Sequence, residues 1–83
     1  TKVVYDVETD ESFTPEEKRI CAGIGVRAFV VVPLLKEGRW VLNLVAHSGR
    51  PRPWPPQELS LLEETAERTW AAVERARAEA RLR

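Results

Sequence analysis

The spacing of apolar and polar residues changes several times along this chain, and each change marks an element. Lys2 to Val7 alternates, with Val3, Tyr5 and Val7 on one side, so it is expected to be a strand. It starts without a leading turn or cap, which suggests a longer parent chain. Glu8 to Phe13 is polar and acidic and leads into Thr14-Pro15-Glu16-Glu17. That tetrad suits a helix start: Thr14 can cap orphan amides, Pro15 fits the first helical position, and Glu17 completes a capping box. Gly23 and Gly25 supply the stop, placing a short helix over Pro15 to Ala22. Arg27 to Leu35 is apolar on both faces, as expected of a central strand covered on both sides. Pro33 has no N–H, so it must fall at a bulge or on an unpaired side of the ladder. Lys36 to Arg39 reads as a hairpin loop turning at Glu37 and Gly38, and Arg39 to His47 returns as a third strand. On that strand Trp40, Leu42, Leu44 and Ala46 share one face, while Val41, Asn43, Val45 and His47 share the other.

Gly49 to Pro56 holds four prolines and Trp54. It resembles a proline-rich ligand of peptide-binding modules, but it reads better as a stiff connector whose Trp54 folds over the edge of the core. From Gln57 to Arg83 there is no Gly or Pro, and the period becomes helical: Leu59, Leu62, Ala66, Trp70 and Val73, then Ala76 and Ala80. Glu64 with Arg68 and Glu79 with Arg83 stand four apart in the favourable order. Such a helix is about 40 Å long, against a radius of gyration of about 12 Å for a compact domain of this size. Its first part, with Trp70 substantially buried, should pack on the sheet. Residues 73–83 should project into solvent or lie against a partner. Alanines bury too little area to hold that end on a core, yet they permit close helix-to-helix approach, as in a parallel two-helix stalk. The expected class is α+β: an antiparallel sheet of about three strands, a short helix and a long C-terminal helix.

At 83 residues the chain makes at most one small domain, too small for a deep two-substrate cleft. Thirteen basic and thirteen acidic residues balance, so no net field recruits nucleic acid or an anionic membrane. No apolar run approaches the ~20 residues that span a bilayer, and no secretory signal is present, so a cytoplasmic location is expected. One cysteine and one histidine exclude an internal disulfide framework and any familiar zinc ligand set. Cys21, beside Ile20 and Ala22, is expected to be inert packing.

Candidate chemistry is sparse. His47 is the only residue that titrates unperturbed near neutral pH, and it shares a strand face with Asn43. The pair either faces one ligand cavity beside the sheet or is a polar strand end. Arg27, on the side of Phe29 and Val31, either meets an anionic ligand or another domain, or is solvated. No Ser or Asp stands at a spacing that suggests a triad, and no catalytic residue, metal site or cofactor is assigned.

The order of strand, capped helix, Gly23-Ile24-Gly25-Val26-Arg27-Ala28, the hairpin through Val32-Pro33-Leu34-Leu35-Lys36-Glu37-Gly38-Arg39-Trp40, then Val45-Ala46-His47 and Pro51-Arg52-Pro53-Trp54 before a Glu-rich helix resembles the C-terminal half of a GAF domain. The likeness is to GAF domains of bacterial sensor histidine kinases that also carry PAS modules, where a tail like Ala66 to Glu79 runs on to the next module. It implies a partial GAF-like fold and a non-catalytic sensory role, passing ligand or dimer state to an output kinase. The alternative is a structural dimerisation module without ligand. The family sheet has five or six strands with a ligand pocket on one side, so a three-stranded piece is expected to hold an incomplete pocket, with Asn43, His47 and Arg27 as its candidate residues. Phytochrome-like members have a similar strand ending in His, adjoining a bilin, and His47 matches that position approximately. Cys21 lies in a different context from bilin-attaching cysteines and lacks a following His or Tyr, so covalent bilin is not expected. Half a sheet exposes an edge and an apolar face, so a homodimer or larger assembly is expected.

Overall fold

Alternation in the central strand decides which side of the sheet becomes the core. The computed structural model describes residues 1–82, so the anticipated Glu79–Arg83 pair lies outside the described residues. Its elements are β1 (Lys2–Val4), α1 (Pro15–Gly23), β2 (Ala28–Lys36), β3 (Arg39–Ser48) and α2 (Pro56–Arg81). The strands form one antiparallel sheet in the order β1-β2-β3, which is the α+β architecture expected. Ala28, Val30, Val32 and Leu34 of β2 are all buried. Register aligns them with Val3 on β1 and with Leu42, Leu44 and Ala46 on β3. Against this face α2 lays Leu59, Leu62 and the fully buried Ala66. Trp54 closes the core as the connector reading requires: it is 6% exposed, and its indole N–H donates to Val4 O at 3.1 Å. Arg52 stacks over that ring at 4.2 Å, pairs with Glu58, and donates its backbone N–H to Tyr5 O.

Local chemistry sets the element ends. Thr14 Oγ1 accepts from Glu17 N at 3.1 Å while Glu17 Oε1 accepts from Thr14 N at 2.8 Å, the reciprocal capping box. The hairpin turns at Glu37 and Gly38, whose φ angles of 53° and 75° are both left-handed, as a two-residue type I′ turn demands. Pro33 stands beyond the stretch of β2 that β1 pairs, Phe29 to Val31, where the strand has an unpaired side.

Several expectations are corrected. The first strand stops at Val4 instead of Val7, because Asp6 accepts the N–H of Glu8 on its carboxylate and that of Thr9 on its carbonyl, turning the chain. Trp40 does not alternate with Leu42. A bulge between Leu34 and Leu35 pairs Leu34 with Leu42 but Leu35 with Trp40, which flips Trp40 out of the core face and leaves it 67% exposed. Trp70 is largely buried as expected, but it lies outside the core cluster, near the hairpin tip, with the Arg77 guanidinium 5.5 Å from its ring centroid. The far face of β2 is only partly covered: Phe29, Val31 and Pro33 are half-buried, with Phe13 meeting Phe29 edge-to-face at 5.8 Å, and Leu35 is 60% exposed. Helix α1 has no buried residue, and Cys21 on it is a half-buried free thiol.

Glu64 and Arg68 do form their i,i+4 pair. Beyond Val73 every residue to Leu82 is exposed. The molecule measures 49 × 27 × 23 Å with a radius of gyration of 15.8 Å, well above the roughly 12 Å of a compact chain of this length.

Candidate functional site

The sheet face turned away from α2 carries two of the three predicted site residues, Asn43 and His47, and the third, Arg27, lies in the loop just before β2. Antiparallel register sets Phe29 opposite His47, Val31 opposite Val45 and Pro33 opposite Asn43, so these six share that face by alternation. His47 and Asn43 are exposed. His47 lies at the covered end, across from Phe29 and its partner Phe13, with Lys2 Nζ 4.9 Å above the Phe13 ring. Asn43 lies four residues nearer the hairpin, about 13 Å away along an extended strand. Its Oδ1 accepts the Trp40 indole N–H at 3.0 Å. Sequence alternation missed Trp40 here, because nothing in the local pattern announces a bulge.

Arg27 enters from the loop before β2 and donates its backbone N–H to Ser48 O at 2.8 Å, which places it beside the His47 end of β3. Its side chain is engaged by the chain itself: Nε donates to Asp6 Oδ1 at 2.7 Å and an η nitrogen to Oδ2 at 3.4 Å. The Arg27 hydrogen bond, helped by the Glu8 backbone N–H, holds the Asp6 carboxyl below its usual range. Arg27 also lines a shallow cleft of about 240 Å³ with Glu8, Ala22, Gly25, Val26 and Gly49, which neither Asn43 nor His47 reaches. Asn43 and His47 thus share one side of the sheet with Arg27 beside its end, and the three line no common cleft among the described residues.

A larger open cleft, about 450 Å³, lies at the sheet edge between the hairpin and the middle of α2, lined by hairpin residues that include Lys36 and the Trp40 edge and by Trp70, Glu74 and Arg77 of α2. Lys36 Nζ spans to Glu67 Oε2 at 2.5 Å and ties hairpin to helix beside it. Among the described residues no three His, Cys, Asp or Glu side chains are grouped to hold a metal ion, and no helix is long and apolar enough to cross a membrane.

Two solved structures share this arrangement. One is a domain assigned to a two-component sensor histidine kinase protein of Sinorhizobium meliloti, 29% identical, with a TM-score of 0.84 over 99% of this chain and 57% of that one. The other is a GAF3 domain from Synechocystis in its photoproduct state, 32% identical, with a TM-score of 0.85 over 99% of this chain and 52% of that one. The chain therefore spans little more than half the length of the structures it matches. Among curated proteins none matches it. The GAF domain family model matches residues 1–73, from the first strand to the last half-buried residue of α2. With strands, capped helix, hairpin and long helix in the anticipated order, the chain belongs to the GAF domain family.

Proposed function

We propose that this chain is a non-catalytic sensory part of a bacterial two-component signalling protein, acting in the cytoplasm and coupling ligand or dimer state to an output kinase through α2. The observation that carries the reading is where the helix changes character. The family match ends at residue 73, and from Glu74 onward α2 continues with no residue held by the sheet. A helix that leaves its domain fully solvated is positioned to transmit a rotation or shift to whatever follows. Residues 73–83 are then the signalling segment, and pairing of two such segments through Ala76 and Ala80 makes a homodimer stalk. The ligand face is the side of the sheet bearing Asn43 and His47 with Arg27 beside it, where a small polar molecule would meet the His47 imidazole and, if it displaced Asp6, the Arg27 guanidinium, or, some 13 Å nearer the hairpin, the Asn43 amide.

The test is a chimaera in which this chain precedes a histidine-kinase output domain, with one to four alanines inserted after Val73. Each added residue rotates the downstream helix by about 100°. Autophosphorylation should rise and fall with insertion length at the helical period. A response that is flat, or that only declines with length, rules out transmission through α2.

A further inference from the structure

Helix α2 begins without a capping side chain of its own. Its N-cap is Pro55, which makes no side-chain cap, and Pro56 takes the first helical position. Glu58 stands third in the helix, where a capping box would turn its carboxylate back onto the N-cap N–H. Pro55 has no N–H to give, so that carboxylate takes the Arg52 guanidinium instead. Arg52 is itself held at several points. Its backbone N–H donates to Tyr5 O at 3.0 Å, its Nε donates to Pro53 O at 2.9 Å, and its guanidinium lies 4.2 Å over the Trp54 ring. One residue thus joins the end of β1, the core and the first turn of α2.

Tyr5 is the neighbour of Asp6, and residues 4–7 are clamped from two directions. Val4 O accepts the Trp54 indole N–H at 3.1 Å, while Asp6 holds the Arg27 guanidinium at 2.7 Å and Val7 donates its N–H to Arg27 O at 2.7 Å. A continuous line of covalent and hydrogen bonds therefore runs through Arg27, Asp6, Tyr5, Arg52 and Glu58. The connector that carries it has prolines at 51, 53, 55 and 56, each with φ fixed by its ring, so it has little slack to absorb a shift at Tyr5. The contacts of Leu59, Leu62 and Ala66 with the sheet are apolar and non-directional, which permits small sliding of the helix. The polar line sets where α2 starts, and the apolar stripe sets what it lies on.

We propose that Arg52 is a positioning residue for α2, and that the connector is a strap through which release of the Arg27–Asp6 pair shifts the first turn of the helix. An occupant that takes Arg27 from Asp6 frees that carboxylate to move, and Tyr5 O, one residue away, moves with it. Arg52 follows Tyr5 through its backbone N–H and carries Glu58 through its side chain. The proposal rests on the reading of α2 as the output helix and adds the route by which the Arg27 end of the sheet reaches it.

The test is amide hydrogen exchange on the chain itself, read at residues 59–66 of α2 and, for reference, along the β2–β3 ladder. Asp6→Asn removes the charge that holds Arg27. Arg27→Gln breaks the same pair from the other side and serves where the first variant does not fold. Either should speed exchange at residues 59–66 by at least about fivefold, the low end of allosteric coupling, and change the ladder by less than about twofold. In an Arg52→Ala background, where the strap is cut, the same substitutions should add less than about twofold at residues 59–66, a non-additivity that independent sites do not show. Unchanged exchange in α2 overturns the proposal. So does a change equal to that of the ladder, which general loss of stability produces, and so does a full effect without Arg52. The chimaera described above fails independently: insertions after Val73 that leave the kinase unmoved remove the signalling role, whereas the exchange pattern decides the strap alone.

Discussion

Tryptophans at 54 and 70 are chemically alike and sit in different physical situations. Trp54 is enclosed by Ala28, Val30, Val32 and Ala66, with its N–H bonded to Val4 O, so Trp54→Ala removes packing and strands a carbonyl. A loss of about 3–5 kcal/mol is expected, most of the stability of so small a domain. Trp70 is partly exposed and lines an open cleft outside the core cluster, and Trp70→Ala should cost only about 1–2 kcal/mol, since part of its area stays exposed. Urea melts of the two variants give the comparison; a larger loss at position 70 than at 54 contradicts this assignment of the core. Asp6 offers a pH-dependent test. Its folded pKa is depressed chiefly by the Arg27 hydrogen bond, so its contribution is present above the unfolded carboxylate pKa and disappears as pH falls through the lower folded value. Asp6→Asn should therefore be less stable than the native chain at neutral pH, with the gap closing on acidification below about pH 4. A gap that is constant with pH would mean that Asp6 acts only through its turn hydrogen bonds.

Among the elements, the hairpin and α1 owe most to local chemistry. Glu37 occupies a left-handed turn position that favours Asn or Gly, at a conformational cost of about 1 kcal/mol for an ordinary side chain. Glu37→Asn is expected to stabilise the fold by about 0.5–1 kcal/mol, seen as a shift in urea midpoint with unchanged slope. These two features were legible in sequence because their causes are local: a Gly in a short loop, and a Thr-Pro-Glu-Glu tetrad whose cap needs no distant partner. The bulge at Leu34/Leu35 was not legible, because it reflects how two strands settle against each other. Its consequence reached the candidate site by moving Trp40 to the Asn43 face. The early end of β1 has a similar origin, since Asp6 is claimed by Arg27 and by its own turn instead of by the ladder.

For the molecule as a whole, the long axis of 49 Å comes from α2 continuing past its packed half. Deleting residues 74–83 should cost less than about 1 kcal/mol in urea melts, because exposed alanines and charged residues contribute little burial or pairing energy. A large loss would show that the tail is part of the core after all. The repeating pattern of the chain determined the element order, the central place of β2, the helical stripe from Leu59 to Val73, the solvated end beyond it and the likeness to the family. Those properties follow from backbone periodicity and burial, which each short segment carries in its own residues. Tertiary structure decided what depends on residues far apart in sequence: that Trp54 and not Trp70 fills the core, that Arg27 spends its guanidinium on Asp6, that Lys36 reaches Glu67, and that Asn43 and His47 share a sheet face with Arg27 beside them but no cleft. Side-chain contacts across the fold are set by register and packing, and neither is encoded in any one segment.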